Sequence, residues 1–356
     1  MIPESHQIRP FDPSDVRGDE FQAVHQFSNL MRQEYWPEDP PLAFDETVGH
    51  WRGVPAFVDR RAWVVWEGKQ AVALGVIRIA QTEDNRHLAD ASIEVLPGWR
   101  RQGIAIRLLG QVVAVAEATN RRLLIGNTDS RIAAGDAFMT ALGASLGLTM
   151  STSQLDLIGL DRTLIRRWQE GNQQLAEDDF ELVLWKGRYP EEHLGAIVDL
   201  LGVTNTAPRG KLDIEDARWT QEELRQWDAS VVESGTERWT LAVVHRRSGK
   251  FAGYTEVFWN RHRRELLSQG MTGVFPEFRN RGLGRWIKAA MLEEVLRERP
   301  YLKRVRTGNA AVNAPMLKIN RELGFRHYKD QGVWQIETKV ARNYLNARQK
   351  SGPASG

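Results

Sequence analysis

The stretch VFPEFRNRGLG, Val274 to Gly284, has a counterpart in VLPGWRRQGIA, Val95 to Ala105, and the two share V-x-P-x-x-R-x-x-G-x-[G/A] position by position. Pro97 and Pro276 lie 179 residues apart, as do Gly103 and Gly282, while the later Leu142-Gly143 and Leu323-Gly324 pairs lie 181 apart. So little drift over that distance marks one unit copied whole. Downstream of each glycine turn the apolar ridges correspond: Ile104, Leu108, Val112 and Ala116 against Leu283, Ile287, Met291 and Val295. Their four-residue spacing is the buried face of a helix. Upstream, RAWVVWEGKQAVALGVIRIA and RWTLAVVHRRSGKFAGYTEVFW each read as a β-hairpin, rich in β-branched and aromatic residues around a Gly-Lys-containing turn.

Each half therefore reads as an opening strand, one or two helices, a hairpin, a strand, the glycine turn, a helix, a strand, a helix and closing strands. That alternation predicts a mixed α/β (α+β) fold: two tandem domains, each a central, mostly antiparallel sheet flanked by helices. The expected boundaries are residues 1–160 for the first domain, 161–178 for a charged, helix-like connector, and 179–345 for the second. The small, polar end, residues 346–356, is expected to be a disordered tail.

With 356 residues and 42% hydrophobic content, the chain is long enough for two or three domains. Its 48 basic and 46 acidic residues nearly cancel, so global charge gives no argument for nucleic acid or an anionic membrane as partner. A small molecule is the expected partner; the oligomeric state is not readable. The absence of cysteine excludes disulfides, thiolate zinc sites and a cysteine nucleophile. Neither an H-x-x-x-H pair nor clustered carboxylates suggest a metal. The N-terminal residues lack a basic-then-apolar leader, and no stretch approaches the roughly 20 apolar residues of a membrane span, so a soluble cytoplasmic protein is expected.

Glycines let a backbone approach a ligand closely, and successive amides opening a helix form a nest for phosphate oxygens. The turn is not a Walker loop, because no Gly-Lys-Ser/Thr follows. It is not the dinucleotide fingerprint either, since the third glycine of G-x-G-x-x-G is Ile287 in the second copy. A tight strand-to-helix turn without a ligand is the plain alternative. Its recurrence in the same context favours an anionic diphosphate.

These glycine-turn segments, each followed after a strand by a helix ending in Leu-Gly, resemble the GNAT superfamily of acyl-CoA-dependent N-acetyltransferases, and the whole chain resembles a tandem GNAT protein. The second half is the closer match, through QGMTGVFPEFRNRGLGRWIKAAML and TGNAAVNAPMLKINRELGF, whereas SRIAAGDAFMTALGAS in the first half departs from the pattern. The resemblance implies acetyl-CoA as cosubstrate. It implies that Val274 offers backbone groups to the pantetheine and that Arg279, Asn280, Arg281, Gly282, Leu283 and Gly284 cradle the pyrophosphate, with Asn313 near CoA. Val95 and Arg100, Arg101, Gln102, Gly103, Ile104 and Ala105 are the matching set in the first half.

Acetyl transfer to an amine needs a placed thioester, a base for the ammonium proton and a donor for the leaving thiolate. The family often supplies the donor as a tyrosine four residues before the late glycine; here Asn320 and Met139 stand there. Asn320 retains a hydrogen-bond donor and Met139 does not, so the second half is the expected catalytic unit. Glu256 is its candidate base and Glu94 occupies a comparable neighbourhood in the first half; a solvent-facing or salt-bridged role is the alternative for each. His245, His262 and His327 are weaker base candidates. Most of the 13 tryptophans, Trp63, Trp66, Trp239 and Trp259 among them, are expected in packing. Trp36, in the irregular YWPEDPP, is expected in an acceptor-side wall. Its counterpart loop carries Asn205, Asp213, Glu215 and Asp216, which either attract an amine or form a solvated loop. The expected activity is acetyl transfer from acetyl-CoA to a primary amine. A non-catalytic acyl-CoA-binding or sensing protein, and an enzyme acting on a protein N-terminus or lysine, remain as alternatives.

Overall fold

The two copies do not build two sheets. In the computed structural model, which describes residues 6–16, 18–171 and 179–350, all twelve strands join one sheet. The first half contributes β1 (Gln7–Pro10), β2 (Val58–Glu67), β3 (Gln70–Ala80), β4 (Leu88–Val95), β5 (Leu123–Asp129) and β6 (Ser145–Asp156). The second contributes β7 (Phe180–Lys186), β8 (Thr236–His245), β9 (Lys250–Asn260), β10 (Leu266–Val274), β11 (Arg304–Ala310) and β12 (Arg326–Glu337). Their order is β1-β2-β3-β4-β5-β12-β6-β11-β10-β9-β8-β7. Only the β4–β5 and β10–β11 neighbours run parallel. The mixed α/β class expected from the sequence holds, with the two expected sheets fused.

The fusion is an exchange of last strands. β6 pairs with β11 of the other half, β12 pairs with β5, and β6 and β12 pair with each other at the centre. The 181-residue offset interchanges their registers: Asp330 opposes Ser151 and Gly332 opposes Thr149, while Arg304 opposes Asp156 and Glu337 opposes Leu123. The sheet therefore has a pseudo-twofold axis between β6 and β12.

Ten helices are present among the described residues. In the first half they are α1 (Asp19–Tyr35), α2 (Phe44–Arg52), α3 (Ile104–Ala118), α4 (Ala133–Leu142) and α5 (Arg162–Glu170). In the second they are α6 (Leu194–Leu201), α7 (Gln221–Glu233), α8 (Leu283–Glu298), α9 (Ala314–Glu322) and α10 (Thr338–Lys350). The ridges read from the sequence are the buried ones: Ile104, Leu108, Val112 and Ala116 on α3, and Leu283, Ile287, Met291 and Val295 on α8, are each at most 1% exposed. Start signals are local: Asp161 caps α5 through the Thr163 and Leu164 amides, and Thr220 with Glu223 forms a capping box on α7.

Exchange extends to the cores. Ile336, Ala341 and Leu345, late in the chain, pack with α3 of the first half, while Leu155, Ile165 and Trp168 pack with α8 of the second. The amphipathic α5 lies in the segment expected as a connector; residues 172–178 of that segment are outside the described residues. The expected disordered tail begins too early, because α10 is helical through Lys350, held by its buried Ala341 and Leu345. Residues 351–356 lie outside the described residues.

Candidate active site

Each glycine turn sits beside a fork in the sheet. β4 pairs with β5 from Leu88 to Asp90 and then leaves it, and β10 pairs with β11 from Leu266 to Gln269 and then leaves it. Beyond those points the two facing edges no longer pair with each other, which leaves backbone groups without a ladder partner among the described residues. In β10 the departure coincides with a β-bulge between Gln269 and Thr272.

The turns after the forks are conformational replicas. A short 3-10 turn, Pro97–Trp99 or Pro276–Phe278, precedes each arginine. Arg101 and Asn280 both have φ of 64°, and Gly103 and Gly282 have φ of 77° and 82°. That left-handed conformation is why glycine stands at the helix entry. The amides of Arg101 through Ala105, and of Asn280 through Gly284, have no hydrogen-bond partner among the described residues. Each row opens a helix and forms an anion nest. Arg100 and Arg279 act differently, through side chains. Arg100 Nε donates to the Val95 carbonyl at 3.0 Å and Arg279 Nε to the Val274 carbonyl at 2.9 Å. Each thus ties the turn to the end of its strand. Arg100 is further held by Glu34 and Arg279 by Thr206.

The buried carboxylates near the forks lie on different strands. Glu94 is on β4; the residue 179 positions on is Gly273. Glu256 is on β9; Ala73 opposes Val95 as Gly253 opposes Val274, so by strand register the equivalent first-half position is Val76. Glu256 is 8% exposed, accepts the Met271 amide on Oε1 at 3.2 Å, and leaves Oε2 buried without a hydrogen bond. Burial pushes its pKa up, against the Met271 amide and the Arg238 charge. Its walls are tight: a Cβ on Gly270 would lie 2.8 Å from Glu256 Cγ. Nearby Arg238 is fully buried and paired with Asp228 at 2.5 Å.

Glu94 faces open space instead. It lines a cavity of about 560 Å³ between the halves, walled by Tyr35, Trp51, Val76 and Arg78 on one side and Phe258, Trp259 and Arg263 on the other. Glu94 is half-buried. Burial pushes its pKa up, offset by the Tyr35 hydroxyl, which donates at a long 3.5 Å, and by Arg78. Ser92 and Glu94 belong to the part of β4 that has left β5, so cavity and fork meet there.

Other predicted residues are placed as follows. Asn320 is 2% exposed and donates to Asn309 Oδ1 at 2.7 Å, leaving its own Oδ1 buried and unpartnered. Asn313 caps α9, accepting the Met316 amide at 3.3 Å. His245 bonds Ser248, His262 accepts from Arg261, and His327 pairs with Asp330. Trp36 does not form an acceptor wall. It stacks on Tyr328 with centroids 5.5 Å apart, under Arg306 and Lys329. The same loop sends Asp39, 4% exposed in its side chain, between Arg32 and Arg306 of the other half. The counterpart loop crosses in return: Asp213 pairs with Arg122 at 2.5 Å and Glu215 accepts the Asn85 amide at 2.7 Å. Asp216 pairs with Arg209, and Asn205 brackets Ala217. Sequence reasoning missed Tyr35, Arg78 and the Glu46–Arg263 pair of the cavity, because their proximity arises only from the way the halves fold onto each other.

A forked strand pair beside an amide nest, present twice on one sheet, defines a GNAT fold in tandem. Residues 22–138 match the family model described as Acetyltransferase (GNAT) family. The match falls in the half whose later helix departs from the family pattern, not the half whose motifs resemble it more closely. Over the whole chain, the tandem GNAT protein from the clavulanic acid biosynthesis pathway superposes with a TM-score of 0.74 at 24% identity, covering 98% of this chain and 100% of that one. A GCN5-related N-acetyltransferase from Sphaerobacter thermophilus gives 0.65 at 13% identity, covering 95% and 97%. A GCN5-related glucosamine N-acetyltransferase region of a fungal multi-domain GH3 β-N-acetylglucosaminidase gives 0.63 at 12%, covering 94% of this chain and 38% of that one. No curated protein sequence matches the chain. The chain is a tandem GNAT-fold protein with the GNAT-family match in its first half. No helix among the described residues is long and apolar enough to cross a membrane.

Proposed function

We propose that the chain transfers an acetyl group from acetyl-CoA to a primary amine, and that the acceptor binds in the cavity beside Glu94. The observation that carries this reading is the meeting of three features at one place: an anion nest, an unpaired strand edge and a carboxylate lining an open cavity. Acetyl-CoA supplies the activated acyl group as a thioester. The nest amides suit its diphosphate and the edge of β4 its amide-bearing arm. Glu94, with a raised pKa, accepts the proton of the incoming ammonium. Nitrogen then bonds to the carbonyl carbon as the carbon–sulfur bond breaks, and the proton count closes with amide and free thiol as products. The departing thiolate is a good leaving group, so the lack of a donor at Met139 is tolerable. Aromatic walls favour a small amine over a protein surface as acceptor.

Glu256 is the alternative base expected in the more closely matching half. Its tight enclosure and its bond to the bulge favour a structural role, with the second half holding acyl-CoA without turnover. Glu94→Gln should lower turnover on the order of a hundredfold or more while preserving acetyl-CoA affinity, the usual worth of a general base. Glu256→Gln should change it little. The reverse ranking, measured by thiol release, moves the chemistry to the second half.

A further inference from the structure

The cavity between the halves has a charge pattern of its own. Two of its arginines already hold a carboxylate: Arg32 shares Asp39 with Arg306, at 2.6 Å and 2.5 Å, and Arg263 pairs with Glu46 at 2.5 Å. Arg78 has no ion pair or hydrogen bond among the described residues. Its cross-strand neighbour Asp90 lies directly opposite in register, but no ion pair within 4 Å joins them. Among the described residues Glu94 has one hydrogen-bond partner, Tyr35 at a long 3.5 Å, and feels the Arg78 charge without pairing with it. In the same wall, Glu46 Oε2 is buried without a partner although its residue is 8% exposed.

We propose that this cavity is built for a molecule with a primary amine at one end and a carboxylate or phosphate at the other, the amine at Glu94 and the anionic group at Arg78. The amine end rests on the acyl-transfer reading; the anion end goes beyond it. Leu74 opposes Glu94 and Arg78 lies four residues further along β3, on the same face. At about 3.3 Å per residue the two positions are roughly 13 Å apart along the sheet, and side-chain reach closes part of that span. An α-amino acid, whose two charged groups share one carbon, spans less of that distance than an extended chain does. An extended chain of several bonds, as in an ω-amino acid or a dipeptide, fits. The cavity of about 560 Å³ has room for it, and Phe258 and Trp259 of the second half supply apolar wall for the chain between the charges. Because both halves line the site, neither copy alone specifies the ligand.

The test is calorimetry on the full chain without CoA, using 6-aminohexanoate, hexylamine, hexanoate and glycine. The bifunctional probe should bind at least about tenfold more tightly than each of the other three, the worth of one charge-assisted hydrogen bond. Arg78→Met should reduce 6-aminohexanoate to the affinity of hexylamine, Arg78→Lys should restore part of the preference, and Glu94→Gln should reduce it to that of hexanoate. Circular dichroism confirms that each variant is folded. Equal binding of 6-aminohexanoate and hexylamine, binding of neither at millimolar concentration, or indifference of a folded Arg78→Met variant overturns the assignment. Binding of the bifunctional probe without thiol release from acetyl-CoA supports this site while removing the acyl-transfer reading. Thiol release that is as fast with hexylamine as with 6-aminohexanoate does the opposite.

Discussion

Lys288 sits on the wrong side of its helix for a charge, and replacing it with methionine should stabilise the protein in a way that depends on pH. It is 3% exposed and lines a void of about 10 Å³ among Leu155, Val257, Leu267, Met291, Leu292 and Phe325. It has no ion pair among the described residues, and burial pushes its pKa down from 10.5 to about 7. At the equivalent position of the first half stands Leu109, 4% exposed, which shows that the frame accepts an apolar side chain there. Between pH 7 and 10.5 the unfolded chain binds a proton that the native one does not, so this group's deficit is full below pH 7 and fades as pH rises. At 1.36 kcal/mol per unit the deficit has a ceiling of about 5 kcal/mol, and relaxation with water entry reduces it to roughly 2–4. Urea denaturation of native protein and Lys288→Met, followed by tryptophan fluorescence from pH 6 to pH 10, measures it directly. The variant should be more stable by that amount at pH 6–7, with the gap closing towards pH 10. A gap that stays constant with pH, or a variant less stable at pH 6, refutes the reasoning.

Gly103→Asp and Gly282→Asp should each remove one of two CoA-binding events seen by calorimetry, since an acidic side chain at either nest repels a diphosphate; two remaining events in either variant would remove that turn from the site. Asp39→Ala should cost about 3–5 kcal/mol in denaturant unfolding, because it strands the buried Arg32 and Arg306 without their shared carboxylate. A cost under about 1 kcal/mol would mean that water replaces it. Because each half is completed by a strand of the other, thermal unfolding should give coincident transitions by far-ultraviolet circular dichroism and tryptophan fluorescence; two resolved transitions would count against the exchange.

The helices, hairpins and glycine turns were legible because their signals are local. Four-residue ridges, β-branched runs and positive-φ glycines act within a dozen residues, and the duplicated pattern reinforced each one. The exchange of β6 and β12 was not legible. Nothing in SLGLTMSTSQLD or RHYKDQGVWQIE names its partner, because a strand's own side chains do not say which neighbouring edge its backbone will pair with. Side-chain roles followed the same division. The turn residues from Arg101 to Ala105 and from Asn280 to Gly284 form matching rows of amides, whereas Trp36 and Asp39, in a loop rich in proline and acid, staple the halves together, since their partners Arg306, Tyr328 and Lys329 lie some 270–290 residues away. Asn320 was identifiable by its place before the Leu-Gly pair, while its partner Asn309 was not.

Duplication gave the two halves one frame, and they differ in the buried carboxylates beside the forks. The glycine turns keep the same φ values to within a few degrees, which holds both rows of amides in one conformation. The carboxylates have parted: one copy keeps Glu94 on the forked strand facing a cavity, and the other keeps Glu256 one strand over, buried against a bulge. The inter-half pairs Glu46–Arg263 and Asp39–Arg306 border or brace that cavity. The second half thereby serves the first as a wall, and this service constrains its surface independently of any chemistry at its own fork. A copy held in place by strand exchange and by a shared pocket can lose its own acceptor site and still be retained.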